Sequence, residues 1–85
     1  MAQVAEFYGF KVFIDNDFEG SPNILVDYEE EHLRGHYNLE KCEFTDIVFP
    51  EYLIMVIQDW ISDNINALKK MWEQKTISVL PEWEE

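Results

Sequence analysis

Hydrophobic residues recur with helical spacing between Pro50 and Gln74, and this is the clearest pattern in the chain. On a helical projection of about 100° per residue, the large apolar side chains of this segment share one stripe and the polar ones lie opposite. The stripe contains Leu53, Ile54, Ile57, Trp60, Ile61, Ile65, Leu68, Met71 and Trp72. The pattern predicts an amphipathic helix over about 50–74, with Pro50 at its first position, where a missing N–H costs nothing.

The segments before the helix alternate between apolar and polar residues, which is typical of half-buried strands. The alternation predicts strands over about 10–15, 24–28 and 32–39, and residues 44–49 form either a short edge strand or a lead-in to the helix. Residues 1–9 are weakly patterned, and 76–80, the first part of the tail 76–85, are β-prone. We therefore expect an α+β fold, a three- or four-stranded antiparallel meander packed against one long C-terminal helix.

Length and composition indicate a single small domain over residues 1–85. A chain of 85 residues has one modest core, and its hydrophobic fraction of 47% excludes disorder for most of it. The sequence has no apolar run of about 18 residues and no basic, then apolar leader at Met1. One cysteine, Cys42, cannot form an internal disulfide. These features predict a cytoplasmic protein without a membrane span.

Charge is the strongest compositional signal. The chain has 18 acidic residues against 6 lysines and arginines, a formal net charge of −12. Such a charge opposes direct binding to nucleic acid or to anionic membranes. We therefore expect a protein partner with a basic surface; the sequence leaves the oligomeric state open.

Short motifs spread along the chain resemble a family of small bacterial proteins, the domain of unknown function 4160. The matching positions are Phe7-Tyr8-Gly9, Asn16-Asp17, Pro22, Tyr28, Leu39, Pro50 and Trp72. The resemblance implies strands followed by a helix, and a protein partner, because such genes tend to be paired with another small gene in toxin–antitoxin-like modules.

The chain departs from that family at its histidine-rich segment. Asn23 and Leu25 stand where the family has histidines, and Ile24 stands in its aromatic position. Any catalytic or metal-binding role of those histidines is therefore not expected here.

Two other patterns suggest metal ligands but are incomplete. Asp15, Asp17, Glu19 and Gly20 match the opening of a calcium loop, yet Val26 stands where the bidentate glutamate belongs. His32 and His36 share one face of a predicted strand about 13 Å apart, too far for one metal ion. No nucleophile–base set or phosphate loop follows from the spacing. We expect no cofactor, no metal and no enzymatic activity.

The acids near turns and strand ends suggest a function in binding. If the turns gather at one edge of the sheet, the carboxylates mimic phosphates and occupy a basic nucleic-acid-binding protein. Small phage inhibitors of restriction or CRISPR effectors act in this way. The predicted acidic face consists of Asp15, Asp17, Glu19, Asp27, Glu29, Glu30, Glu31, Glu40 and Glu43.

Two alternatives remain: a partner in a toxin–antitoxin-like two-gene module, or a plain acidic interaction domain. Met55 and Val56 lie off the apolar stripe, and Trp83 lies in the tail. Together they could form an apolar contact of the kind that marks a partner site. It is equally open that Val56 packs on the tail.

Overall fold

A computed structural model describes residues 2–15, 20–45 and 49–80 of the chain. Its elements are β1 (Ala2–Phe7), β2 (Phe10–Ile14), β3 (Asn23–Tyr28), a short 3-10 turn (Glu29–Glu31), β4 (Leu33–Asn38), β5 (Glu43–Phe44) and α1 (Glu51–Gln74). The five strands form one sheet in the order β1-β2-β3-β4-β5, and each strand is antiparallel to its neighbours. The predicted α+β meander with a long C-terminal helix is confirmed, with β1 as an additional strand.

The hydrophobic pattern does not reveal β1 because this strand contains a bulge. Gln3 pairs with Phe13 and Ala5 pairs with Val12, so Val4 is an extra residue on β1. A bulge breaks the alternation of faces, and the side chains of Val4 and Ala5 are both buried. The carbonyl of Val4 accepts a hydrogen bond of 2.7 Å from the Leu80 N–H.

The core lies between the sheet and α1. Trp60, Ile61 and Leu68 of α1 are almost fully buried, and they join a cluster with Val12 and Ile24 of the sheet. The predicted stripe is confirmed, with Ile54 and Ile65 as its half-buried members, because one helix face must cover the inner face of the sheet.

The helix ends are set by backbone conformation. Pro50 is the N-cap residue and not the first helical residue: its ψ of 156° is extended, and its carbonyl accepts hydrogen bonds from Leu53 and Ile54. At the other end Lys75 has a φ of 54°, and the N–H of Thr76 closes back on the Met71 carbonyl. This is the left-handed closure that ends many helices.

The possible edge strand over 44–49 and the β-prone segment 76–80 contain little regular strand among the described residues. β5 contains only Glu43–Phe44, and residues 46–48 of the predicted strand lie outside the described residues. Residues 76–80 form no strand, and their one backbone bond to the sheet is the Leu80–Val4 contact. In the described part of the chain, no helix is both long and apolar enough to cross a membrane.

Candidate partner-binding surface

The turns of the meander fall alternately at the two ends of the sheet. Successive antiparallel strands run in opposite directions, so the Tyr8-Gly9 turn and the Glu29–Glu31 turn share one end. The end of β2, the start of β3 and the connection at 39–42 share the other end. The start of α1 joins the first end, since the Tyr52 hydroxyl donates a 3.4 Å hydrogen bond to Glu31. We call this surface the Tyr–Glu end and define it as Tyr8, Tyr28, Glu29, Glu30, Glu31 and Tyr52.

The structure divides the predicted acidic face between these two ends. Glu29, Glu30 and Glu31 belong to the Tyr–Glu end, whereas Glu40 and Glu43 lie at the opposite end. A strand of about six residues separates the two groups by roughly 17–20 Å. The turns therefore do not gather these acids at one edge.

The remaining members of that face lie elsewhere. Asp15 follows β2 at the opposite end and is half-buried. Asp27 lies within β3, where its carboxylate forms a 3.1 Å ion pair with Arg34. Asp17 and Glu19, with the centre of the calcium-like loop, lie outside the described residues.

Each glutamate of the 3-10 turn contacts a different side chain. The Lys11 ammonium lies 2.6 Å from Glu29 Oε1, and the Tyr28 hydroxyl donates a 2.6 Å hydrogen bond to Glu30 Oε2. Tyr52 binds Glu31 from the helix. All three glutamates remain exposed. The carboxylates are therefore accessible to solvent, and each has one contact to a side chain of β2, β3 or α1.

The carboxylates also change how the neighbouring groups titrate. The hydrogen bond to Glu30 is the largest cause that raises the pKa of Tyr28 to about 12, followed by desolvation. For Tyr52, desolvation comes first and the charge of Glu31 second in raising the pKa. The hydrogen bond and charge of Glu29 raise the pKa of Lys11. Nearby negative charge favours the protonated form of all three groups, and desolvation adds to the rise for the two tyrosines.

Tyr28 and Tyr52 contact these carboxylates, and Tyr8 lies in the neighbouring turn at the same end. The side chains of Tyr8 and Tyr52 are 47% and 60% exposed. Tyr28 packs on Phe10, with ring centroids 4.6 Å apart, and lies over Gly9, whose φ of +84° needs a residue without a side chain. Exposed tyrosine is enriched among residues that dominate protein interfaces. Its ring face also attracts lysine and arginine.

The tyrosines of this end were not among the candidate residues from the sequence. The order of the strands could have identified them. In an antiparallel meander every second turn lies at the same end of the sheet, so the turn before β2 and the turn after β3 must share an end. The position of Tyr52 is harder to predict from the sequence. Tyr52 lies at the start of the helix, and the sequence does not define how the segment between β5 and α1 places this residue relative to Glu31.

The three candidate apolar residues have different positions. Met55 is 64% exposed, one turn after Tyr52 on the same side of α1. Val56 is half-buried and packs against the core, so the expectation that it points away from the buried face is wrong. Trp83 lies outside the described residues. Among the described residues, Tyr52 and Met55 therefore form the candidate apolar surface for a partner.

The two histidines do not share a strand face. His32 precedes β4 and has a left-handed φ of 54°, whereas His36 lies within β4. Among the described residues, no three His, Cys, Asp or Glu side chains are grouped closely enough to hold a metal ion. Cys42 is exposed in the turn before β5, where its thiol contacts the Leu39 carbonyl.

Comparisons with protein-family models, with curated proteins and with solved structures found no match. The resemblance to the domain of unknown function 4160 stays a prediction.

Proposed function

We propose that this chain is a small acidic, non-enzymatic binding protein that occupies the basic nucleic-acid-binding surface of another protein. The Tyr–Glu end is the contact surface in this proposal. The observation that carries it is the set of three consecutive exposed carboxylates, each held by a separate side chain and flanked by exposed tyrosine rings.

The chemistry of such a surface fits arginine and lysine. Carboxylates accept charge-assisted hydrogen bonds from guanidinium and ammonium groups, which are the groups that hold phosphates. The rings of Tyr8 and Tyr52 add faces for cation–π contacts. The net charge of −12 steers the protein toward a basic partner and away from nucleic acid. An inhibitor of a restriction or CRISPR effector would act in this way.

Ordering of the carboxylates before binding supports the same proposal. A flexible acidic segment loses side-chain entropy when it binds, at a cost of about 0.5–1.5 kcal/mol for each side chain that becomes fixed. Lys11 and Tyr28 already restrict Glu29 and Glu30 through contacts of 2.6 Å, and Tyr52 adds a longer contact of 3.4 Å to Glu31. Part of that cost is therefore met during folding.

The test compares two triple variants with the same change in charge. The first replaces Glu29, Glu30 and Glu31 by Gln. The second, the control, changes Asp59→Asn, Asp63→Asn and Glu73→Gln on the exposed side of α1. Each immobilised protein captures partners from a lysate, and quantitative mass spectrometry compares what is retained. We expect a nucleic-acid-binding protein that wild type and control retain, that the first variant loses, and that added duplex DNA displaces.

Two outcomes would contradict the proposal. Equal loss in both triple variants would mean that overall charge, not the Tyr–Glu end, determines binding. Retention that added DNA does not change would mean that the partner uses a surface other than its nucleic-acid site.

A second candidate function rests on the exposed pair Tyr52 and Met55. This chain would then form a stable complex with a small protein partner through an apolar contact, as in a two-gene module. Large apolar side chains that adjoin on a helix surface are typical of such contacts.

A further inference from the structure

The sheet face turned away from α1, here called the outer face, has a row of alternating charges. The strand register places Glu6 beside Lys11, Lys11 beside Asp27, and Asp27 beside Arg34. The row crosses four strands with the signs minus, plus, minus, plus. Within one chain, these neighbours already form the ion pair between Asp27 and Arg34.

An adjacent row on the same face has an apolar centre. Phe13 pairs with Leu25, and the outer positions of the row are Gln3 and His36. Phe13 is half-buried. Leu25 is only 7% exposed but does not belong to the core cluster beneath α1, which places its side chain on the outer face. In the part of the chain that the structure describes, the one long helix, α1, covers the opposite face.

The outer face differs from the rest of the protein in its charge. The whole chain has a net charge of −12, with 6 lysines and arginines in total. Two of those bases, Lys11 and Arg34, lie in the charged row and balance its two acids, so the row sums to zero. The row itself therefore adds no net repulsion between two copies, and Glu43 of β5 lies beyond it on the same face.

The order of charges is complementary to itself under a twofold rotation. Consider an axis parallel to the strands that lies between β2 and β3. A rotation of 180° about it reverses the row, so that Glu6 faces Arg34 of a second copy and Lys11 faces Asp27 of a second copy. Each of the four contacts then joins opposite charges. We propose that the outer face is the interface of a homodimer with this symmetry.

The same rotation brings the apolar centres together. Phe13 faces Leu25 of the second copy, and the reciprocal contact follows from the symmetry. The stacked sheets would lie about 10 Å apart with aligned strands, the usual arrangement of two packed sheets. Lys11 can keep Glu29 while it binds the second copy, because an ammonium has three donors.

The small area of the face indicates a weak association. Five strands spaced about 4.8 Å apart span about 19 Å, and strands of about six residues add roughly 17–20 Å in the other direction. The patch covers roughly 320–380 Å² on each copy, which belongs to the weak, transient interfaces below about 1,200 Å² in total, so we expect a dissociation constant of about 10–100 μM.

The symmetry has a consequence for the Tyr–Glu end. Rotation about an axis parallel to the strands preserves their direction, so both Tyr–Glu ends lie on the same side of the dimer. The dimer would present two sets of ordered carboxylates side by side. The dimer itself does not depend on the proposed function and can be tested without any other partner.

The experiment uses two charge-reversal variants, Glu6→Lys and Arg34→Glu, at exposed positions of the row. Sedimentation equilibrium measures self-association from about 5 to about 500 μM, a range that brackets the expected constant. Wild type should dimerise. Each variant alone brings like charges together at both contacts, and its self-association should weaken about tenfold or more. An equal mixture restores two opposite-charge pairs and should dimerise like wild type.

Two controls keep the result interpretable. Circular dichroism melting of each variant shows whether it is folded, and Asp59→Lys on the exposed side of α1 should leave dimerisation unchanged. A wild type that stays monomeric over the whole range would overturn the proposal. A mixture of folded variants that associates no better than either variant alone would also overturn it.

Discussion

The indole of Trp60 stacks on the ring of Phe7, with centroids 4.8 Å apart and planes 11° apart. Trp60 comes from the first half of α1, and Phe7 is the last residue of β1. The contact therefore joins the helix to the first strand across more than half of the chain. Contacts of this type hold a small domain together because each large ring buries much apolar surface.

Truncation of Trp60 to alanine should destabilise the whole domain. Trp60 is 1% exposed, so Trp60→Ala removes buried contacts and leaves a cavity. We expect the free energy of unfolding to fall by about 3–5 kcal/mol. Urea denaturation followed by circular dichroism measures the change. Asp59→Ala, at the exposed neighbouring position, is the control and should change stability by about 0.5 kcal/mol or less. An unaltered midpoint for Trp60→Ala would contradict this packing.

Two glycines with positive φ form a matched pair for a second prediction. Gly9 has a φ of +84°, and an added Cβ would lie 3.3 Å from Tyr28 Cε1. Gly20 has a φ of +74° with no atom within 4 Å of such a Cβ. Gly20→Ala should cost about 1 kcal/mol from backbone strain alone. Gly9→Ala should cost more because Tyr28 must also move. Thermal or urea unfolding measures the stability of both variants. If Gly9→Ala and Gly20→Ala lose the same free energy of unfolding, the Tyr28 ring moves without a measurable cost.

The helix could be predicted closely from the sequence because its apolar stripe extends over many turns. Leu53, Trp60 and Leu68 repeat at helical spacing. Because many positions agree on the same face, an exception at one position does not obscure the pattern. β4 was predicted for a similar reason: Gly35 and Tyr37 are buried, and Arg34 and His36 are exposed, as strict alternation requires. Regular elements with one buried face leave a readable pattern.

The missed features depend on irregular or distant geometry. The bulge at Val4 places two consecutive side chains inward and cancels the alternation by which a strand is recognised. The Tyr–Glu end combines two hairpin turns with the start of a helix, so its membership depends on topology. The contact between Tyr52 and Glu31 spans 21 residues, and no local pattern predicts it.

The Tyr28 hydroxyl gives a prediction in the alkaline range. Its hydrogen bond to Glu30 raises the pKa from 10.0 to about 12. A group whose pKa is raised on folding favours the folded state below its unfolded pKa. The stabilisation from Tyr28 should therefore be complete below about pH 10 and disappear as the pH rises toward about 12. The absorbance of tyrosinate measured against pH should show one tyrosine that ionises at a higher pH than the others.

Two variants assign that titration to a residue. Tyr28→Phe should remove the last tyrosinate step, and Glu30→Gln should move it to lower pH because the charged acceptor is gone. Tyr8→Phe is the control that keeps the late step. Loss of the step in Tyr8→Phe but not in Tyr28→Phe would contradict the assignment.

The choice between a charge-based and an apolar interface can be tested at Met55. Val56→Asp is unsuitable because Val56 packs against the core and a buried carboxylate would unfold the domain. Met55 is exposed, so Met55→Asp should leave the fold intact.

In the proposed function this variant adds a carboxylate one turn from Tyr52, and binding to the captured partner should persist. Wild-type affinity should also fall steeply with salt, because exposed ion pairs are screened. In the two-gene alternative, Met55→Asp should abolish binding and salt should have little effect. Isothermal titration at two salt concentrations distinguishes these outcomes. Lost binding in Met55→Asp, with a shallow salt dependence in wild type, would exclude the Tyr–Glu end as the main contact.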